Sequence, residues 1–533
     1  MQFEQTTLAP RALTLAVASA MLALALAGCA VGPDYKRPAV QVPASYKEAA
    51  EGWKVAQPSD QRDRGTWWTI YDDPQLDALE EKLNQSNQTV AQFAAAYRQA
   101  RALVGEARAA YFPVISASAG GTRQRTPSRS STGSVTGSNG TSAGLSSSGS
   151  ISNSYSLGLD ASWEPDLWGQ VSRSVNSQEA GQQGAAADLA NARLSAQATL
   201  AQTYFSLRSL DATQKLLDDT VAAYSRSLQL TQNQYGQGIV ARSDVIQAQT
   251  QLQSAQAAAI DNGVARAQDK QAVGVLVGET ASTFAIPPSP LDATPPAVPA
   301  QMPSALLERR PDIASAERKA AAANEQIGVA IAAFFPSLTL TASGGFESAV
   351  LSQLLTAPSR FWTLGPQLAA TIFDAGLRSA QTDAARATYD QNVAAYRQTV
   401  LAAFQDVEDN LASLRILERE IVVQQQAVDS ARQARDIVEN EYKAGTVGYV
   451  NVLTAQTTAF TAEQKLASIA GQRMVSSVGL VKALGGGWDV AQMDRETGSV
   501  TAPAAAPAAS APVAATAPAQ GEGVAQQPVV AQK

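Results

Sequence analysis

The sixteen-residue stretch YGQGIVARSDVIQAQT at 235–250 recurs as YKAGTVGYVNVLTAQT at 442–457, an offset of 207 residues. DLWG at 166–169 and FDAG at 373–376 keep the same offset. Self-similarity at a constant spacing predicts two internal structural repeats. Glycines within the two copies mark places where a helix ends and the chain turns back; they are Gly236, Gly238, Gly445 and Gly448.

Proline placement permits very long helices around these turns. No proline lies between Pro165 and Pro287, or between Pro366 and Pro503. Since proline is excluded from helix interiors, both intervals can hold extended helices. A helix over 169–235 would be roughly 100 Å long, which fits coiled-coil packing. Apolar residues of the second interval recur every three, four or seven positions, as one helical stripe requires; examples are Leu411, Leu414, Leu417, Ile421 and Val428.

Two segments outside the helices alternate between apolar and polar residues. In YSLGLDASW (155–163) the odd-numbered residues are apolar or aromatic, and SLTLTAS (337–343) alternates in the same way. This period of two predicts strands with lipid on one face and water on the other, although a soluble sandwich would show the same pattern. Aromatic residues at the strand ends predict an interfacial belt; they are Tyr155, Trp163, Phe346, Phe361 and Trp362.

Composition excludes several classes of function. The 533 residues contain no histidine, one cysteine and a net charge of −7. The usual general base, thiolate metal sites and an internal disulfide are therefore missing, and no basic run suggests a nucleic-acid partner. We expect no enzymatic activity, no cofactor and no bound metal.

The two ends of the chain differ from its centre. An apolar run and the string LAGC (26–29) predict a lipoprotein signal peptide over 1–28, with lipid attached to Cys29. Four strands per chain cannot close a membrane barrel, which needs at least about eight, so the chain is expected to oligomerise. The chain is predicted to have six parts. They are a signal peptide (1–28), an N-terminal lipid-anchored segment (29–66), a first repeat (67–281) with a Ser/Gly/Thr-rich loop at 126–150, a Pro-rich linker (282–303), a second repeat (304–490) and a disordered Ala/Pro-rich tail (491–533).

Several motifs together resemble the outer-membrane efflux proteins, in the lipidated NodT-like branch that is broadly similar to the TolC channel. They are LAGC, VGPDYKRP (31–38), WWTIYDDPQLDAL (67–79), WEPDLWGQ (163–170), LLERRPDI (306–313), IFDAGLR (372–378) and YKAGTVGYVNVLTAQ (442–456). The resemblance implies an α+β membrane protein: a homotrimer whose twelve-stranded β-barrel continues into a long periplasmic α-helical barrel. It also implies a location in the outer membrane.

The function implied by the resemblance is that of a passive exit duct for small molecules in a tripartite efflux pump. The partners would be a periplasmic membrane-fusion adaptor and an inner-membrane transporter of the RND type. Type I protein secretion or metal-ion efflux is an alternative for a duct of this architecture. A periplasmic coiled-coil lipoprotein without a pore is a further one, against which the alternating strands argue.

The resemblance also places a gate and an adaptor contact at the two glycine turns. The turns around Gly236, Gly238, Gly445 and Gly448 would meet the adaptor. The residues expected at the gate are Arg242, Asp244, Tyr449, Asn451 and Thr454. The second turn departs from the family pattern, since Val447, Asn451 and Thr454 stand where relatives often carry charge. An alternative is that Asp244 and Asn451 only cap the returning helices.

Overall fold

The computed structural model describes residues 30–40, 43, 46–47, 66–125, 151–291, 294–296 and 309–486. The predicted signal peptide, Cys29, the loop at 126–150 and the tail at 491–533 lie outside the described residues, and the linker at 282–303 is described only in part. The described chain is mostly helical and carries one four-stranded sheet.

The long helices and the strands lie where the sequence patterns predict them. The helices are α1 (Pro74–Ser86), α2 (Gln88–Ala109), α3 (Gln170–Gly236), α4 (Arg242–Leu276), α5 (Pro311–Ala332), α6 (Leu377–Lys443) and α7 (Tyr449–Ala483). The strands are β1 (Val114–Arg125), β2 (Ile151–Trp163), β3 (Ser337–Ser348) and β4 (Arg360–Ala369). Among the described helices, none is both long and apolar enough to cross a membrane.

Corresponding helices of the two halves have equal lengths. Helices α3 and α6 have 67 residues each, α4 and α7 have 35 each, and α2 and α5 have 22 each. At about 1.5 Å per residue, α3 and α6 are each roughly 100 Å long. The proline-free intervals thus hold two long helical hairpins, as predicted.

Glycine geometry ends both long helices in the same way. Gly238 and Gly445 adopt φ of 73° and 75°, the left-handed region that glycine enters without steric cost. The amide of Gly238 donates to Tyr235 O and that of Ile239 to Gln234 O, while Gly445 and Thr446 repeat both bonds. These paired bonds form a Schellman motif, which satisfies the last carbonyl groups of each helix and turns the chain back.

The helices form one layer in which α3 is flanked on both sides. Away from the sheet, α3 packs between α4 and α7, and α7 packs in turn on α6. Nearer the sheet, α3 packs between α2 and α5, and α5 packs on α6. The orders are therefore α4–α3–α7–α6 and α2–α3–α5–α6, and α6 forms one edge of both.

The strands form an antiparallel meander in the order β1-β2-β3-β4. Leu159 pairs with Ala117 on β1 and with Gly344 on β3, which in turn pairs with Trp362 on β4. Strands β1 and β4 therefore lie at opposite edges of the sheet, and each has one edge without a partner strand in the described part of the chain.

The largest apolar cluster lies at the waist of the helices, where the two halves meet. Trp67 and Trp68 are buried there against α1, α3 and the end of α7. Tyr71 and Ser477 share a hydrogen bond of 3.1 Å between their hydroxyl groups. In the same region, Glu80 is fully buried, and neither of its carboxyl oxygens has a hydrogen-bond partner.

Candidate functional site

The sheet presents one apolar and one polar face, because side chains alternate along each strand and the register keeps like residues together. Residues of the apolar face come from all four strands and are largely exposed. They are Ile115, Ala117 and Ala119 of β1, Tyr155, Leu157, Leu159 and Trp163 of β2, Leu338, Leu340 and Phe346 of β3, and Trp362, Leu364 and Leu368 of β4. This face can be covered by lipid without burying a charged group in the middle of the sheet.

The opposite face is rich in serine and threonine and carries two carboxylates. Asp160 accepts a 3.4 Å hydrogen bond from Ser118, and Glu347 accepts one of 3.1 Å from Ser154. In the described strands, this face holds no basic side chain. It therefore has the composition of a wall that water can line.

One aromatic residue of the predicted belt lies on the polar face. Phe361 pairs with Gly345, whose neighbour on β2 is Gly158, and both belong to the polar set. A side chain at Gly158 would lie 3.7 Å from the Phe361 ring, so this glycine leaves space beside the ring. The belt prediction for Phe361 is wrong, because the register rather than the position along the strand decides which face a residue occupies.

A network of side chains fixes the junction between the sheet and the helices. Trp168 donates through Nε1 to Pro336 O at 2.7 Å and stacks on Phe335 at a centroid distance of 4.8 Å. Asp166 accepts hydrogen bonds from the amides of Val171 and Ser172, which satisfies the first turn of α3. The motif DLWG was recognised from its repetition and its family resemblance, and its role at the junction follows only from these contacts.

The first described residues of the N-terminal segment lie at this junction. The amide of Val31 donates to Trp168 O at 3.1 Å. Arg173, buried in an ion pair with Glu325 at 3.0 Å, donates to the carbonyl groups of Gly32 and Pro33. Residue 30 therefore lies at the end of the sheet that faces the helices, next to the position of Cys29 in the sequence.

The two edges of the helical layer expose apolar side chains. The residues are Ile246, Ile260, Val264 and Val275 on α4, and Leu401, Ile416, Val422, Val423 and Ile437 on α6, each at least half exposed. The inner helices α3, α5 and α7 expose far fewer large apolar side chains in the described chain. They are Tyr235 on α3 and Val450 on α7, and both lie at the tip. Since β1 follows α2 and β4 precedes α6 along the chain, the open edges of the sheet and of the helical layer lie on the same two sides.

At the tip, the two helix hairpins meet through one small apolar cluster. Tyr449 is 2% exposed, and its ring lies edge-on to that of Tyr442 at a centroid distance of 5.6 Å. Ala248 of the other hairpin belongs to the same cluster. Burial raises the pKa of Tyr449 above its ordinary value, and the nearby Tyr442 and Asp244 act in the same direction. Sequence reasoning missed Tyr442, although it occupies a matching position in the repeated stretch.

The other expected gate residues lie around this cluster. Arg242, Asn451 and Thr454 are exposed, Asp244 is half-buried, and Tyr449 alone among the five is fully buried. All five lie in the first two turns of α4 or α7, so the structure brings them to one end of the molecule. The four glycines expected to meet an adaptor lie at the same tip.

The capping alternative for Asp244 and Asn451 is wrong. The residue before α4 is Ala241 and the residue before α7 is Gly448, and neither helix has a side-chain cap. Asp244 and Asn451 lie one turn further in, where their own amides donate to Ala241 O and Gly448 O. Asp244 instead places a negative charge in the first turn of α4, which the helix dipole favours.

The described residues contain no group of three or more acidic or cysteine side chains that could hold a metal ion.

Comparison with known proteins gives the geometry its context. The model of the outer membrane efflux protein family matches residues 79–279 and 302–486. The chain belongs to the outer membrane efflux protein family. This confirms the resemblance seen in the motifs.

Curated relatives of this outer membrane efflux protein share nearly their whole length with it. The toluene efflux pump outer membrane protein TtgI of Pseudomonas putida is 34% identical over 479 residues, covering 88% of this chain and 97% of the relative. The outer membrane protein OprJ of Pseudomonas aeruginosa is 32% identical over 481 residues, covering 89% and 96%. The protein is an outer-membrane component of an efflux pump, as predicted.

Solved structures show the same fold. The structure of the outer-membrane channel OprN superposes with a TM-score of 0.77 at 28% identity, covering 86% of this chain and all of that one. The fold of this outer membrane efflux protein is therefore that of known outer-membrane channels, with a four-stranded sheet at the end of long helices.

Proposed function

We propose that three copies of this chain close into a continuous duct through which small molecules leave the cell. The observation that carries the proposal is the pair of open layers. The sheet ends at β1 and β4, and the helical layer ends at α4 and α6, with exposed apolar side chains on these helices. Open strand edges are not tolerated in lipid, so the sheet requires partners.

Joining β4 of one chain to β1 of the next keeps the antiparallel order, because the number of strands per chain is even. Three copies give twelve strands, within the range of known membrane barrels. Tyr155 and Trp163 lie eight residues apart on β2, which corresponds to roughly 27 Å along the strand and about 20 Å across the membrane at a tilt of ~40°. This height suits the apolar band of an outer-membrane barrel, which is about 25 Å.

Closure also covers the edges of the helical layer. The apolar side chains of α6 would meet those of α4 and α2 in the next copy, and the helices would form a periplasmic barrel. The polar face of the sheet, with Asp160 and Glu347, would line the pore. Substrates pass through this water-filled interior unaltered, so no catalytic step is required of the protein.

The tip is proposed as the gate and as the contact for a periplasmic adaptor, which would link the duct to an inner-membrane transporter of the RND type. Tyr449 and Tyr442, both on the α6–α7 hairpin, pack against the α3–α4 hairpin, so separation of the hairpins would open the tip. Arg242, Asp244, Asn451 and Thr454 surround that joint and would face the pore or the neighbouring copy. The glycine turns at 236–238 and 445–448 would be presented to the adaptor.

The anchor and the division of the chain complete the proposal. Residue 30 lies beside Trp168 at the sheet–helix junction, so lipid on Cys29 would enter the inner leaflet of the outer membrane next to the barrel. The equal helix lengths support a duplication, with repeats at 67–281 and 304–490 joined by the linker at 282–303. The signal peptide at 1–28, the anchored segment at 29–66 and the tail at 491–533 belong to the same proposal.

The test is the oligomeric state and conductance of the protein extracted from outer membranes. Native mass spectrometry is expected to give three times the mass of one chain, and planar bilayers should show a pore. Ile260→Glu, at a residue that is 76% exposed in the single chain, should weaken the trimer by placing a charge at the seam. Ser254→Glu, on a different side of the same helix, is the matched control and should leave the trimer intact. A wild-type protein that is monomeric and forms no pore overturns the proposal.

A further inference from the structure

The end of the sheet that faces away from the helices carries three exposed arginines. Arg123 and Arg125 are the last basic residues of β1, and Arg360 is the first residue of β4. Arg125 pairs with Ile151 and Arg360 with Phe346, so they belong to the apolar face, as does Arg123. The three arginines thus lie on the face that lipid would cover.

Charge is divided between the two faces by sign. In the four described strands, Arg123, Arg125 and Arg360 are the basic residues, and all are on the apolar face; Asp160 and Glu347 are the acidic ones, and both are on the polar face. No carboxylate on the apolar face of these strands can therefore pair with the arginines. Guanidinium groups beside lipid need an anionic partner to offset the cost of leaving water.

Aromatic residues fix the depth of the three arginines. Tyr155, Phe346 and Trp362 lie on the apolar face near the same end of the sheet. Rings of this kind lie at the level of lipid headgroups. Arg360 precedes Trp362 by two residues, which is about 7 Å further out along the strand. The guanidinium groups therefore reach the level at which lipid phosphates occur.

In the single chain the arginines lie at opposite edges of the sheet. Arg123 and Arg125 are on β1, and Arg360 is on β4, three strand spacings or about 14 Å away. In a closed ring, β4 of one copy lies next to β1 of the following copy. This step rests on the proposed function, since only closure brings the two sets together across each seam.

We propose that each seam between subunits binds the phosphate groups of a phosphorylated glycolipid in the outer leaflet, through Arg123 and Arg125 of one copy and Arg360 of the next. Arginine suits this role because its planar guanidinium donates two parallel hydrogen bonds to a phosphate. The lipid's acyl chains would lie on the apolar face below, against Trp362 and Phe346. The trimer would have three such sites, and each bound lipid would bridge two subunits.

The experiment uses the wild-type trimer and the triple variant Arg123→Gln/Arg125→Gln/Arg360→Gln, both in detergent. Each is titrated with bisphosphorylated lipid A and with the same lipid after removal of its phosphates. Native mass spectrometry counts the bound lipid, and the melting temperature of the trimer follows its effect. The control variant Arg98→Gln/Arg101→Gln/Arg397→Gln removes the same charge from exposed helix positions.

Wild type and control are expected to bind the phosphorylated lipid at least about tenfold more tightly than the triple variant, and to melt at a higher temperature when it is bound. The lipid without phosphates should bind all three proteins alike. Equal binding of the phosphorylated lipid to the triple variant and to wild type overturns the inference. An equal melting shift with inorganic phosphate alone also overturns it, because the site would then hold a free anion.

This outcome is separate from that of the proposed function. A protein that does not trimerise or conduct contradicts the duct itself. Trimers that conduct but bind lipid without regard to its phosphates contradict only the assignment of the seam.

Discussion

Truncation of Tyr449 tests the proposed gate most directly. Its side chain is 2% exposed and packs on Tyr442 and on residues of the other hairpin. Replacing a buried aromatic residue by alanine costs about 3–5 kcal/mol of packing free energy. If the tip opens by separating the hairpins, the open state loses the contacts with Ala248 and Ser227 of the other hairpin and keeps the one with Tyr442 on its own. Tyr449→Ala then shifts the balance toward the open state by at most about 10²–10³-fold, because each 1.4 kcal/mol is a factor of ten and the contact with Tyr442 is common to both states.

The assay is single-channel recording of the reconstituted trimer in a planar bilayer. Tyr449→Ala should abolish the low-conductance closed level, and Tyr449→Phe, which keeps the ring, should retain it. Tyr396→Ala is the matched control, since Tyr396 is 1% exposed but packs against Ile313 and Val400, away from the tip. It should destabilise the protein without changing the closed level. A closed level of wild-type conductance in Tyr449→Ala would show that this residue does not hold the gate.

Three further predictions concern the pore wall, the waist and the helix contacts. Asp160→Asn and Glu347→Gln should each lower the preference of the pore for cations by about twofold at 0.1 M salt, measured as a shift in reversal potential. An unchanged reversal potential would show that the polar face does not line the pore. Burial and the charge of Asp77 raise the pKa of Glu80 from 4.5 to about 9, so ionisation destabilises the fold increasingly as the pH rises between these values. Glu80→Gln should therefore raise the free energy of unfolding by up to about 3 kcal/mol at pH 7 and leave it unchanged below pH ~4. A gain in melting temperature that is the same at every pH would contradict this. Gly471→Ala should destabilise by about 1–3 kcal/mol because a methyl group there would lie 2.6 Å from Ser209 Cβ, whereas Gly263→Ala, with open space around it, should be neutral or stabilising in thermal unfolding.

Sequence patterns predicted the helices and strands because their signals are local. The intervals without proline and the glycines at 238 and 445 set the length of the hairpins, since both residue types act through the backbone itself. Alternation in 155–163 predicted the two faces of β2, because neighbouring side chains on a strand point in opposite directions. These features depend on a few adjacent residues.

Assignments that depended on contacts between distant residues were less successful. Phe361 was expected in the aromatic belt, but pairing with Gly345 places it on the polar face. Asp244 was considered as a helix cap, yet the helix begins two residues earlier. The burial of Tyr449 against Ala248 follows from the meeting of two hairpins, which no local pattern encodes.

The sequence by itself thus determined the long helices of this outer membrane efflux protein, the two faces of its strands and its family. The tertiary structure decided the order of the helices in their layer, the register of the strands and the course of the N-terminal segment over Arg173. The physical reason is the range of the interactions. Backbone conformation and periodicity act over a few residues, whereas burial and pairing depend on which distant segments come into contact. The open edges at β1, β4, α4 and α6, on which the proposed trimer rests, belong to this second kind.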